Sequence, residues 1–166
     1  LTKRLIRQAV DSLNSVSKTV EQLKAEMLKL ASQLPEFHVV MEMHRVGDSL
    51  GPQLMAEIGD VTRFVHRGSI TAFAGVDPGA NQSSEREAKS VRTSKSGPPE
   101  LRRTLFLVMD GLLKSMPQDD PVYQFMDKKR SEGKTYLVYM TAGANKFLRI
   151  YYGRVKEYLA SLETAD

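Results

Sequence analysis

Between residues 5 and 34 the apolar side chains recur at alternating steps of three and four. Leu13, Val16, Val20, Leu23, Met27, Leu30 and Leu34 form one seam, with Lys18, Glu21, Lys24 and Glu26 outside it. That heptad pattern predicts one long helix whose stripe is narrow, as a coiled-coil seam is, and covers little of a globular core. The alternative is the same helix laid on its own domain. Pro35 ends it, because the proline ring cannot continue the ladder and biases Leu34 away from helical dihedrals.

Beyond Pro35 the pattern shortens. Residues 37–43 have the apolar spacing of a short helix, broken at Gly47, and Asp48 or Ser49 can cap the next. Leu50, Leu54, Met55 and Ile58 give that helix its face, and Gly59 closes it. Helix, glycine turn, helix is the outline of a helix-hairpin-helix, whose hairpin amides around Gly47 can hold a DNA phosphate; a purely structural hairpin fits as well. A turn over 60–64 precedes a short helix over 70–74, capped by Ser69 and ended by Gly75. Pro78 and Gly79 commit residues 76–97 to a long polar loop, and such loops are functional or disordered. Gly97-Pro98-Pro99-Glu100 then starts a helix with Leu101, Leu105, Val108 and Leu112 as its buried stripe. Asp120-Pro121 opens another helix, which Gly133 ends, and a long last helix covers residues 135–159. With no period-two strand in sight the reading is all-α: a coiled-coil arm or linker over 1–35, and a compact helical domain over 36–166.

Composition changes this picture in few ways. At 166 residues, 41% hydrophobic and 27% charged, the chain suits one globular domain with extended helix attached. A net charge of +4 favours a polyanionic partner. Cysteine is absent, which excludes disulfides and thiolate zinc sites and points to the cytoplasm. No apolar run approaches the roughly 20 residues that span a bilayer, so no membrane is expected. The chain opens on Leu1 with no signal peptide, which predicts a piece excised from a longer protein.

The candidate chemistry sits in the polar loop. Ser83, Ser84 and Ser94 lie among Arg86, Lys89, Arg92 and Lys95, and hydroxyls held beside cations can attack or grip a phosphodiester. A solvated surface loop has the same composition. Arg102 and Arg103 open a helix, where their charge opposes the dipole unless an anion compensates, which points to phosphate contact. Lys128, Lys129 and Arg130 read as a solvated C-terminal turn. Arg149, Arg154 and Lys156 read as charges outside a core-facing stripe of Tyr151, Tyr152 and Tyr158, with a nucleic-acid surface as the rival. His38, His44 and His66 lack metal-ligand spacing, and no acidic cluster for a magnesium pair is evident.

Five blocks are more specific than composition. They are Ala56-Glu57-Ile58-Gly59-Asp60 with Arg63-Phe64, Phe73-Ala74-Gly75-Val76-Asp77-Pro78, Asn81-Gln82-Ser83, Ser94-Lys95 with Gly97, and Leu101-Arg102-Arg103. In order and interval, residues 43–159 resemble the C-terminal transposase domain of the DEDD-type insertion-sequence transposases. That family includes the Piv-like DNA invertases and the bridge-RNA-guided recombinases. The resemblance implies a transposase or recombinase domain in which Ser83 is the nucleophile. Ser84 stands where the family has glycine and is the second candidate hydroxyl; Ser96 stands where a basic residue is common. Arg86, Lys89, Arg92, Lys95, Arg102 and Arg103 would neutralise phosphoryl charge, with Ser94 and Gly47 as further nucleic-acid contacts. The partners implied are DNA, a guide RNA and further copies of the chain joined through the N-terminal helix. The resemblance gives this chain no cofactor of its own and puts Mg2+ in a RuvC-like domain that family members carry before the linker, so the fragment alone is expected to be inactive. The rivals are a noncatalytic helix-hairpin-helix DNA-binding module and a coiled-coil assembly domain whose basic loop is incidental.

Overall fold

A computed structural model describes residues 2–77 and 96–164, and among them it is helical throughout, with no strand. The helices are α1 (Thr2–Ala31), α2 (Phe37–Met41), α3 (Leu50–Ile58), α4 (Arg67–Ala74), α5 (Pro99–Ser115), α6 (Pro121–Ser131) and α7 (Tyr136–Glu163), with a single 3₁₀ turn at Val61–Arg63.

The heptad seam lies open along α1. Leu13 is 65% exposed and Leu23 58%, while Ala31 is the one residue of the helix that is buried. The arm therefore does not lie on its own core; its last turn meets α3 and then unwinds ahead of Pro35. Its stability in water has to come from length and from whatever covers the seam, since packing contributes so little.

The compact part is built around α7. Met140, Ala144, Phe147, Leu148, Tyr151 and Val155 are buried along it, and α2, α4, α5, α6 and the 3₁₀ turn all pack against it. On α5 the expected stripe is buried in full: Leu101, Leu105, Val108 and Leu112 face α3 and α7. Tyr152 is also inside; its hydroxyl lies 3.1 Å from the Phe64 carbonyl, to which it donates, and accepts from Lys156 Nζ at 2.7 Å. Burial pushes the Tyr151 phenol far above its usual range, so it stays neutral in the core. Of the α7 tyrosines that could line a nucleic-acid surface, Tyr151 and Tyr152 are thus core residues, while Tyr158 is half-buried against His38.

Helix starts follow local chemistry, with two differences from the sequence reading. Asp120 caps α6 as expected, accepting from the Val122 and Tyr123 amides, each at 2.8 Å. Helix α4, however, starts at Arg67 because His66, not Ser69, caps it: Nδ1 accepts from the Gly68 amide at 3.0 Å. Ser49 precedes α3 but makes no side-chain cap, since it already has helical dihedrals (φ −94°, ψ −45°) and its hydroxyl does not fold back on the first turn. Between α2 and α3, Arg45 takes a left-handed conformation (φ 63°).

Candidate nucleic-acid interface

The polar loop leaves and rejoins the fold at one edge. At the end of α4, Gly75 takes the left-handed conformation (φ 65°, ψ 34°) that glycine adopts without strain. The turn is closed by the Gly75 and Val76 amides, which donate to the Ala72 and Thr71 carbonyls at 3.0 and 3.1 Å. From α7, Asn145 Nδ2 donates to the Val76 carbonyl at 3.3 Å and holds the outgoing strand down. The described chain stops at Asp77 and resumes at Ser96.

On the return, Gly97 is wedged against the last turn of α4. A Cβ there would lie 1.8 Å from the Phe73 carbonyl oxygen and 2.7 Å from the Ala74 carbonyl carbon, so only glycine fits without moving backbone. Pro98 and Pro99 then turn the chain into α5, and Arg102 reaches back so that its guanidinium donates to the Gly97 carbonyl. The dipole conflict inferred for Arg102 is met internally, by a carbonyl, with one guanidinium N–H of several. Arg103 beside it is exposed and makes no ion pair among the described residues.

A third guanidinium joins this edge. Arg63 is exposed and stacks 4.7 Å from the Phe64 ring centre and 4.5 Å from that of Phe73, the residue whose carbonyl blocks Gly97. It donates to the Ile58 carbonyl at 2.7 Å, which fixes its direction. The turn that carries it is held by Asp60, whose carboxylate accepts from the Thr62 hydroxyl and from the Thr62 amide at 2.8 Å. Those bonds, the hydroxyl's foremost, hold Asp60 below the usual carboxylate range. Arg63 was not singled out as a contact residue in the sequence; its place directly before Phe64 in a matching block was the available signal.

Of the sequence candidates, Arg102 and Arg103 are brought to this edge. Ser83, Ser84, Arg86, Lys89, Arg92, Ser94 and Lys95 lie outside the described residues. Gly47 is exposed but stands elsewhere, in a groove shared with Leu107 and Gly111, about 6 to 12 Å further along α5 than Arg103. Its carbonyl accepts the Gly51 amide at 2.8 Å, and a Cβ there would meet nothing. The histidines are structural: His38 stacks edge-on to Tyr158, His66 caps α4, and His44 pairs with Asp120 at 3.0 Å beside a cleft of about 160 Å³.

The family model described as Transposase IS116/IS110/IS902 family matches residues 37–124, more than half of the chain. The chain belongs to this transposase family. The matched stretch runs from α2 into α6 and contains the whole α4–α5 edge of the transposase, with Arg63, Gly97, Arg102 and Arg103. No curated protein matches the chain. Among the described residues no helix of the transposase is long and apolar enough to cross a membrane. Nor do the described residues include a group of three or more His, Asp or Glu side chains able to hold a metal ion, so they do not fit Mg2+.

Proposed function

We propose that this transposase domain, residues 36–166, supplies a serine nucleophile to DNA strand exchange, within the DEDD-type, Piv-like and bridge-RNA-guided branch of the insertion-sequence transposases. Ser83 is the attacking hydroxyl and Ser84 the second candidate. The observation that carries the reading is the edge itself: inside the matched family region, the chain on which Ser83 lies is fastened at both ends next to Arg63, Arg102 and Arg103. Ser83 lies six residues along the chain from Asp77.

A serine hydroxyl is a weak nucleophile until a base takes its proton. In the proposed step its Oγ attacks phosphorus of a DNA phosphodiester, a P–Oγ bond forms, the bond to one sugar oxygen breaks, and that oxygen leaves with a proton. Guanidinium groups along the edge stabilise charge on the phosphoryl oxygens. The phosphoserine link keeps the bond energy until a sugar hydroxyl attacks in reverse and rejoins the strand. Mg2+ finds no fitting site among the described residues, so none of these steps runs through it; its place in this reading is a RuvC-like domain of the full protein. DNA and a guide RNA are the polyanions that Arg86, Lys89, Arg92, Ser94, Lys95 and Arg103 would meet. Residues 1–35 form the arm that joins copies through the open seam of α1.

Replacing Ser83 with Ala in the full-length protein is expected to lower recombination about a thousandfold or more while leaving DNA affinity intact. It also removes a protein–DNA adduct that resists denaturation. Loss in Ser84→Ala alone moves the nucleophile by one residue. Full recombination in both variants, and in the double, overturns serine catalysis.

A further inference from the structure

We propose that α6 and the first turns of α7 form a binding surface for single-stranded DNA, separate from the α4–α5 edge. The proposal rests on the transposase reading, which supplies an opened DNA strand, and it names where that strand lies.

The first turn of α7 stands out of the fold. Tyr136 is 50% exposed, and its ring packs edge-on against Tyr139, with centres 5.6 Å apart and planes at 80°. The α6–α7 turn that presents this pair is closed by two backbone hydrogen bonds. Gly133 is left-handed (φ 77°), its amide donates to the Arg130 carbonyl at 3.0 Å, and the Lys134 amide donates to the Lys129 carbonyl at 3.2 Å. This is the doubled closure of a glycine-ended helix, and it sets Lys134 just ahead of the tyrosines.

Tyr136, Tyr139 and Lys146 then share one side of α7, at steps of three and seven, so the row runs about 15 Å. At its far end Lys146 Nζ lies 4.8 Å from the ring centre of Phe125 on α6, and Lys129 Nζ lies 5.7 Å from the same ring. Aromatic faces and ammonium groups therefore alternate along the junction of the two helices. Its carboxylates are already engaged: Asp127 with Arg130 at 2.6 Å and Glu132 with Lys129 at 3.0 Å. Lys128, Lys134 and Lys146 form no close ion pair among the described residues, although Glu132 also feels the charge of Lys128 and Lys134. The surplus is positive.

A half-exposed Tyr136 ring, beside the partly buried Tyr139 and ammonium groups that make no ion pair, matches a polyanion whose bases are unpaired, because a duplex hides its base faces inside the stack. The exposed Leu137 and Val138 point around α7 from the tyrosine row by the helix register, so they do not interrupt it. A protein partner would be served by those two side chains but would leave the lysines unmatched.

The test uses fluorescence anisotropy of the whole chain with three labelled probes: a short oligothymidylate, an oligouridylate of equal length, and a DNA duplex. Tyr136→Ala/Tyr139→Ala is expected to weaken oligothymidylate binding about tenfold or more, through lost stacking, and to leave duplex binding unchanged. Tyr136→Phe/Tyr139→Phe keeps the faces and is expected to bind as the parent does. Lys146→Ala, at the half-buried far end of the row, is expected to reduce the log-log salt slope for oligothymidylate by about 0.7. Unchanged oligothymidylate affinity in the alanine pair and in Lys146→Ala overturns the proposal. So does tighter binding of oligouridylate that is lost in the same variants, which would make the partner RNA, or a change of oligomeric state with DNA affinity intact, which would make the face a contact between copies. If the parent binds the duplex but not oligothymidylate, this surface is refuted while the Ser83 reading stands.

Discussion

Gly97 carries more structural consequence than its size suggests. The atoms that exclude a Cβ there belong to the backbone of Phe73 and Ala74, which cannot swing aside as a side chain tip can. Gly97→Ala must therefore part the start of α5 from the end of α4, and it also displaces the carbonyl that Arg102 grips. The expected cost is about 1–3 kcal/mol, the range for forcing extra volume into a packed site. A urea titration reads it as a lowered midpoint at unchanged slope. A variant as stable as the parent would mean that the two ends of the loop are not clasped at this point. The close approach is not visible in the sequence, where Gly97 reads as the residue before two prolines and as part of a matching block. The requirement arises from a segment more than twenty residues earlier, and spacing along the chain says nothing of such an approach.

At the level of helices, the arm and the domain obey different physics. On α1 the seam side chains lie open to water: Leu5 and Val10 are 58% and 48% exposed, and the heptad side chains after them are similar. Charges placed in the seam should thus leave the fold of the domain untouched. Leu13→Arg with Val20→Arg is expected to shift the sedimentation coefficient to that of a monomer, with the thermal midpoint of the compact part unchanged. A parent that is already monomeric at high concentration would defeat the assembly reading. Helix placement was legible because each element carries a local signature: the three-four rhythm of α1, the Leu101–Leu105–Val108–Leu112 stripe, Asp120-Pro121, and Gly75 and Gly133 at closing turns. Where local signatures compete, the reading slipped. His66 precedes α4 and Ser69 falls in its first turn, and only the fold decides that the imidazole does the capping. The same limit applies to the site. Arg102 and Arg103 were recognisable from the helix start, Arg63 depends on the approach of Phe73, and the serines lie outside the described residues.

For the whole molecule, the division at Pro35 has a direct test. Of the arm's described residues only Ala31 enters the core, whereas α7 buries eight residues against five neighbouring elements. A chain of residues 36–166 is expected to keep its helical circular dichroism and to melt within a few degrees of the parent. A molten or insoluble product would show that the α1–α3 contact is part of the core. Length gives the arm a second meaning. At 30 residues, α1 is a rod of about 45 Å. Two copies bound side by side with the rods pointing the same way would bring their compact domains to the same end. Opposed rods would set them apart by a span comparable to about 13 base pairs of duplex. The direction of pairing would thus act as a ruler, selecting how far apart on DNA the two strands to be exchanged can be.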